Sequence, residues 1–297
     1  MTIVKRRGLI IARHRREVLI EDATGETFTA LVRGRKLRPL AGDNVVFNFE
    51  ADGTAIIQEI MPRDTLLERI DSRGRGEGIA ANISLIMVVL APQPAPDWQL
   101  IDRYLVAAAL MGIDAVLVRN KQDLGDHHLD DRARSYAEIG YHLISTSTKV
   151  PQGLEALAQS LDSRRGVLVG QSGVGKSSLI NSLLDTDVQT VGSLSRRKAL
   201  GRHTTTAARL YRLPGGGELI DSPGVRRYAP KISDPADLDS GFIEFRPYTG
   251  QCRFNDCRHR TEPNCAVTDA VEAGTIRIER YQSYCVLSDT LDKLRGN

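Results

Sequence analysis

GQSGVGKS, Gly170 to Ser177, is the stretch from which the rest of this sequence can be read. It fits the phosphate-loop template G-x-x-x-x-G-K-[ST]. Val167, Leu168 and Val169 form a short apolar strand before it, and KSSLINSLL (Lys176 to Leu184) reads as a helix after it. In that strand–loop–helix setting the backbone N–H groups of Gly170, Gln171, Ser172, Gly173, Val174 and Gly175, with those of Lys176, Ser177 and Ser178 at the helix start, are expected to cradle phosphates. Lys176 is expected to reach the β- and γ-phosphates, and the Ser177 hydroxyl to bind Mg²⁺.

Two further strings extend the reading. NKQD (Asn120 to Asp123) follows the buried-strand pattern of Ala115 to Val118. A carboxylate such as Asp123 can accept from the N1 and N2 protons of guanine, which adenine does not supply. Asn120 would serve the O6/N7 side, and the Lys121 stem would pack along the base. A site built this way leaves polar groups unpaired when the wrong base enters, so it discriminates strongly and disfavours an ATPase reading. STST (Ser145 to Thr148) follows Leu143–Ile144, where a base-contacting loop is expected, with Ser145 and Thr146 as the candidates. DSPG (Asp221 to Gly224) ends a predicted hairpin, Ala207 to Leu213 and Glu218 to Ile220, joined by Pro214-Gly215-Gly216-Gly217. Asp221 would hold Mg²⁺ through water, and the Gly224 N–H would touch the γ-phosphate.

The polar stretch Thr186 to Thr206, with Arg196, Arg197, Lys198, Arg202 and His203, ends in HTTT and fits a switch ordered by γ-phosphate and Mg²⁺. Thr205, rather than Thr204, is expected to complete the metal shell. These motifs belong to a GTPase, but their order is rotated. NKQD precedes the phosphate loop by about fifty residues, where an ordinary small GTPase has it late. The switches therefore end the nucleotide-binding unit, and whatever follows them lies next to the γ-phosphate.

The 297 residues suit two or three domains, and 41% apolar content suffices for real cores. MTIVKRRG carries charge but no apolar core of a leader peptide, and the longest apolar run, Ile83 to Ala91, is too short to span a membrane. A soluble cytoplasmic protein is expected. Net charge is only +3, yet residues 1 to 40 hold ten Lys/Arg against four Asp/Glu. A basic end on a nearly neutral body suggests a polyanionic partner. Five short alternating strands are predicted in that region: Gly8 to Ala12, Glu17 to Glu21, Thr27 to Val32, Val45 to Phe49 and Ala55 to Ile60. They predict a small closed barrel of the OB type over residues 1–62. Phe28 is the only aromatic before residue 47, so phosphate contact to structured RNA is expected rather than base stacking. Pro62 to Gly78 reads as a Gly/Arg-rich connector. Alternating strands and helices over 75–230 predict a doubly wound α/β domain. A mainly helical region, 231–297, completes the chain.

In that last region Cys252, Cys257, His259 and Cys265 follow C-x4-C-x-H-x5-C, with three of the four cysteines within fourteen residues. Thiolates and an imidazole in this set make a closed tetrahedral shell, so one structural Zn²⁺ is expected. Cys285 is left over, on a predicted helix from Arg280 to Leu287.

An OB-like barrel, a unit in NKxD–P-loop–DxPG order and a Cys3His region together resemble the ribosome small subunit-dependent GTPase A (RsgA) family over nearly the whole chain. The stretches that carry the resemblance are AANI (Ala80 to Ile83), GQSGVGKSSLIN, GRHTTT, DSPGVR, CxxxxCxH with EPNCAV, and RYQSY (Arg280 to Tyr284). AANI is followed by Ser84 where the family pattern has Asp-Gln, and the N-terminal extension is short. The resemblance implies a GTPase with Mg²⁺ and zinc that binds the immature small ribosomal subunit and its rRNA, is stimulated by it and acts late in its maturation. A monomer is expected. Ras-type enzymes orient water with a Gln after DxxG; here that position is Val225. Slow intrinsic hydrolysis is expected, completed by His203, with Arg202 as the alternative. Two other readings stay open: a nucleotide-gated RNA-binding switch whose turnover is incidental, and an RNA scaffold with a decayed nucleotide site.

Overall fold

A computed structural model describes residues 5–14, 17–33, 37–70, 75–149, 151–185, 208–222, 228–232 and 237–295. Five strands open the chain: β1 (Arg6–His14), β2 (Glu17–Asp22), β3 (Thr27–Val32), β4 (Asn44–Phe49) and β5 (Ala55–Ile60). They pair in the order β1-β2-β3-β5-β4, and β4 returns to β1, which closes the barrel. Alternate residues point inward, so Ile10, Val18, Ile20, Ala30, Val45, Phe47, Ala55 and Ile57 form its core. Phe28 packs on Phe47 and Phe49 there.

The Gly/Arg-rich connector contains a hairpin that composition concealed: β6 (Leu66–Ile70) with β7 (Gly76–Ala81). Glycine there serves packing, since a Cβ on Gly78 would overlap the Leu40 side chain. The connector is fixed at a second point, where Arg63 forks onto the buried Asp43 carboxylate at 2.6 and 2.8 Å.

Next comes the α/β unit. Its strands are β8 (Leu85–Leu90), β9 (Asp114–Arg119), β10 (His142–Ser145), β11 (Arg165–Val169), β12 (Arg209–Arg212) and β13 (Glu218–Asp221). The spatial order is β10-β9-β8-β11-β13-β12, all parallel except β12. All six residues of β8 are buried, as a strand covered on both faces requires. Ile86, Val88 and Leu90 face α1 (Trp98–Met111) and α2 (His127–Ile139). Leu85, Met87 and Val89 face α3 (Pro151–Gln159) and α4 (Lys176–Asp185). Asp97 and Asp126 cap α1 and α2 by accepting from Leu100 N and Leu129 N. Strand β1 also pairs with β12 through Ala12 and Arg209, so the barrel and the α/β sheet are hydrogen-bonded into one eleven-stranded sheet.

The C-terminal residues form short 3-10 turns and two helices, α5 (Ala266–Glu272) and α6 (Ile278–Arg295). Helix α6 runs longer than the predicted Arg280–Leu287 core. Phe242, Phe245, Cys265, Tyr284, Leu287 and Leu291 pack with Val106 of α1 into a separate core. Among the described residues, no helix is long and apolar enough to cross a membrane.

Candidate nucleotide and metal sites

Parallel pairing sets the site. Strands β8, β9, β11 and β13 end together, so the loops after them meet at one sheet edge, where open α/β sheets bind ligands. The loop after β9 is NKQD, that after β11 is the phosphate loop, and β13 ends at Asp221.

NKQD and the phosphate loop are bonded directly. Asn120, buried, donates through Nδ2 to Val174 O at 2.8 Å. Lys121 donates through Nζ to Gly173 O at 2.8 Å and to Gln93 O at 2.7 Å. Gly175 has φ +98°, and a Cβ there would run into the Asn120 amide. Glycine at this position therefore serves both the left-handed backbone and the approach of Asn120. Asn120 Oδ1 and Thr146 Oγ1 are buried with no hydrogen-bond partner.

Asp123 is held from the loop after β10. Ser147 Oγ donates to its Oδ1 at 2.7 Å, and Lys149 Nζ to its Oδ2 at 2.6 Å. The Lys149 contact first, and then Ser147, keep the Asp123 carboxyl below its ordinary range. Of the STST hydroxyls, Ser147 is the one bonded to Asp123. Ser145 ends β10, and Thr146 bonds through its backbone to Arg119 and Gln122. Sequence reasoning passed over Ser147, Lys149 and Gln93; the quoted STST contained the first, and only the fold distinguishes four adjacent hydroxyls.

Lys176 begins α4, and its Nζ donates to Gly170 O and Gln171 O, both at 2.8 Å. Burial pushes its ammonium pKa down, and nearby Asp221 opposes that. Asp221 is buried beside Leu168 of β11, and Ser222 Oγ donates to Leu168 O at 2.8 Å. Ser172, Ser177 and Ser178 are exposed at the loop and helix start. Gln171 bonds backward, accepting from Asp97 N at 2.8 Å and donating to Ala95 O at 3.2 Å. His203, Thr204, Thr205, Gly224 and Val225 lie outside the described residues.

The second centre is Cys252, Cys257, His259 and Cys265, whose donor atoms all lie within 4.8 Å of one another and could hold a metal ion. His259 is buried and adopts φ +57°, and its Nε2 lies 3.6 Å from Asp239 Oδ2. A carboxylate behind a ligating imidazole is the usual outer support. Tyr281 and Tyr284 of α6 donate to His259 O and Arg258 O at 2.7 and 2.8 Å and hold the loop from outside.

The RsgA GTPase family model matches residues 60–230. The small ribosomal subunit biogenesis GTPase RsgA of Chromohalobacter salexigens is 49% identical over 255 residues, covering 85% of this chain and 75% of that one. Its counterpart in Pseudomonas fluorescens is 45% identical over 285 residues, covering 93% and 83%. Among solved structures, YjeQ from Thermotoga maritima superposes with a TM-score of 0.74 at 31% identity, covering 99% of this chain and 100% of that one. YloQ, described as a circularly permuted GTPase, gives 0.70 at 27% identity, with 98% and 96% covered. Sequence, fold and the rotated motif order agree, and the chain belongs to the RsgA GTPase family.

Proposed function

We propose that this chain hydrolyses GTP to GDP and phosphate on the small ribosomal subunit during its late maturation, as a cytoplasmic, monomeric protein that also contacts rRNA. The observation that carries the nucleotide assignment is the bonding of NKQD onto the phosphate loop through Asn120–Val174 and Lys121–Gly173. The Thr146 hydroxyl, buried with no partner among the described residues, can donate or accept and is a group of the kind a nucleotide edge satisfies.

In this reading Asp123 accepts from the guanine N1 and N2 protons and Asn120 takes the O6/N7 side. Lys121 lies along the base, and Lys176 and the loop N–H groups hold the phosphates. Ser177, Asp221 and Thr205 would hold Mg²⁺, which when bound neutralises charge on the phosphates. The Asp221 carboxylate acts on the Lys176 charge, so the donor set and the phosphate-binding cation share one locality. His203 is the proposed side chain that orients water. His203→Ala is expected to lower subunit-stimulated turnover, and an unchanged rate would remove that role.

The metal of the second centre is proposed to be zinc with a structural role. Zn–S near 2.3 Å and Zn–N near 2.0–2.1 Å in a tetrahedron make edges of about 3.8 Å between sulfurs and about 3.5 Å between sulfur and nitrogen. Here Cys252 and Cys265 sulfurs are 3.8 Å apart, and His259 Nδ1 lies 3.5, 3.5 and 3.3 Å from Cys252, Cys257 and Cys265.

The test measures GTP hydrolysis with and without small subunits, and retention on them with GDP or a non-hydrolysable GTP analogue. Stimulated turnover, and retention only of the triphosphate form, are expected. Less than a severalfold stimulation would favour the nucleotide-gated switch.

A further inference from the structure

Both ends of the Gln171 amide are committed to the turn that starts α1, through Asp97 N and Ala95 O. Helix α1 then leads away from the phosphate loop. Trp98, its first residue, stacks on Tyr136 with centroids 5.5 Å apart, and the Arg132 guanidinium lies 4.5 Å over the indole. One turn on, Asp102 accepts from Tyr136 Oη at 2.7 Å and from Arg280 Nη1 of α6 at 2.5 Å. Asp102 and Arg280 side chains are each only 2% exposed. Arg280 also donates from Nε to Glu244 at 2.6 Å and lies 4.7 Å over the Phe242 ring. Phe242 stacks on Phe245, and Phe245 meets the ring of the metal-site residue His259.

We propose that Gln171 is a positioning residue that couples the phosphate loop to the metal-binding region through α1, so that nucleotide affinity depends on the buried Asp102–Arg280 pair. The proposal rests on the reading of residues 170–177 as the nucleotide site. Its physical basis is that α1 is held at two points by contacts that do not slide. At its start the Gln171 amide holds it to the loop through two hydrogen bonds, one from Asp97 N and one to Ala95 O. At Asp102, any displacement against α6 would strand a charge away from water. About five residues of helix, roughly 7.5 Å, separate the two points, too short a span to bend. A change in the loop must then move or strain α6, and by linkage a change at α6 alters affinity at the loop. Spatial continuity by itself does not establish coupling, so the coupling is read as an energy.

The experiment is a double-mutant cycle on GDP affinity in the full chain with its metal. Arg280→Lys is expected to weaken GDP binding about fivefold in the parent background and to have no effect once Gln171→Ala is present. Asp102→Asn gives the same comparison if Arg280→Lys folds poorly. Equal losses in both backgrounds would overturn the coupling. Trp98 is the chain's single tryptophan, so its emission reports directly on the middle of the link. GDP is expected to shift it in the parent and not in Gln171→Ala, and a parent emission blind to GDP would also overturn the proposal. Asp123→Asn separates the layers. If it binds GDP normally, the nucleotide-site reading fails; if it loses GDP while the cycle is additive, only the coupling fails.

Discussion

Lys149 and Ser147 hold the Asp123 carboxyl below its ordinary range, and in the guanine-reading role proposed for it that charge state decides which base edge it can pair. An amide at this position reverses one contact, because it donates where the carboxylate accepts. Asp123→Asn is therefore expected to lower guanine nucleotide affinity by about two orders of magnitude. It should raise affinity for xanthine nucleotides, whose C2 oxygen accepts that donor, and competition binding with GDP and XDP measures both. Glu262 shows the same dependence on local donors. Burial raises its pKa, but the backbone N–H groups of Arg258, Arg260 and Thr261 outweigh that and bring it to about 2. A folded pKa below the unfolded value means stability that is full above about pH 4.5 and is lost as pH falls toward 2. Discounted for partial exposure, the contribution is about 1–2 kcal/mol. Glu262→Gln should remove only the Glu262 share of the acid-side loss, read as the parent-minus-variant difference in unfolding at stepped pH, because protonation of the metal ligands is common to both. At this scale the motif residues were legible because their types are fixed by chemistry. Ser147 and Glu262 were not, because a hydroxyl or carboxylate gains its role from which N–H or side chain the loop brings to it.

Periodicity made most elements legible. The five barrel strands, the fully apolar β8 and the helices around the phosphate loop each announce themselves by alternation or by strand–loop–helix order. The β6–β7 hairpin did not, since its glycines and arginines read as a linker. What makes it a sheet is tertiary: Leu40 covers Gly78, and residues 228–232 pair back onto β6 through Ile70 N and Ala229 O at 3.0 Å. Gly78→Val should consequently displace Leu40 and cost about 1–3 kcal/mol in thermal unfolding. GDP affinity should stay near the parent value, because among the described residues no hydrogen bond of the NKQD and phosphate loops runs to that hairpin. A loss of affinity larger than threefold would mean that the hairpin helps to position the site.

For the whole molecule, rotating the motif order places the C-terminal region directly after the switch sequence, and α6 fastens that region to α1. The fastening was not legible: RYQSY contains Arg280, but nothing in its sequence says that Asp102, 178 residues away, will share its burial. Two anchors therefore act on the C-terminal region, the Arg280 ion cluster and the Cys3His centre with its proposed metal, and removal of that metal tells them apart. Protonation or chelation releases three thiols and an imidazole that sit against one core with Phe245 and Tyr284. The loop 252–265 holds few regular backbone bonds of its own, so it should open first. Helix α6 keeps Arg280 bonded to Asp102 and Glu244, which lie outside that loop. Treatment with a strong chelator should thus raise the number of rapidly reacting thiols by the three ligand cysteines, with Cys285 as the remaining one, and admit proteolytic cleavage between 252 and 265. Far-UV helicity should fall by only a small fraction, because α1 and α6 persist. Collapse of α6 helicity on chelation would show instead that the metal, rather than the buried ion pair, holds this region to the sheet.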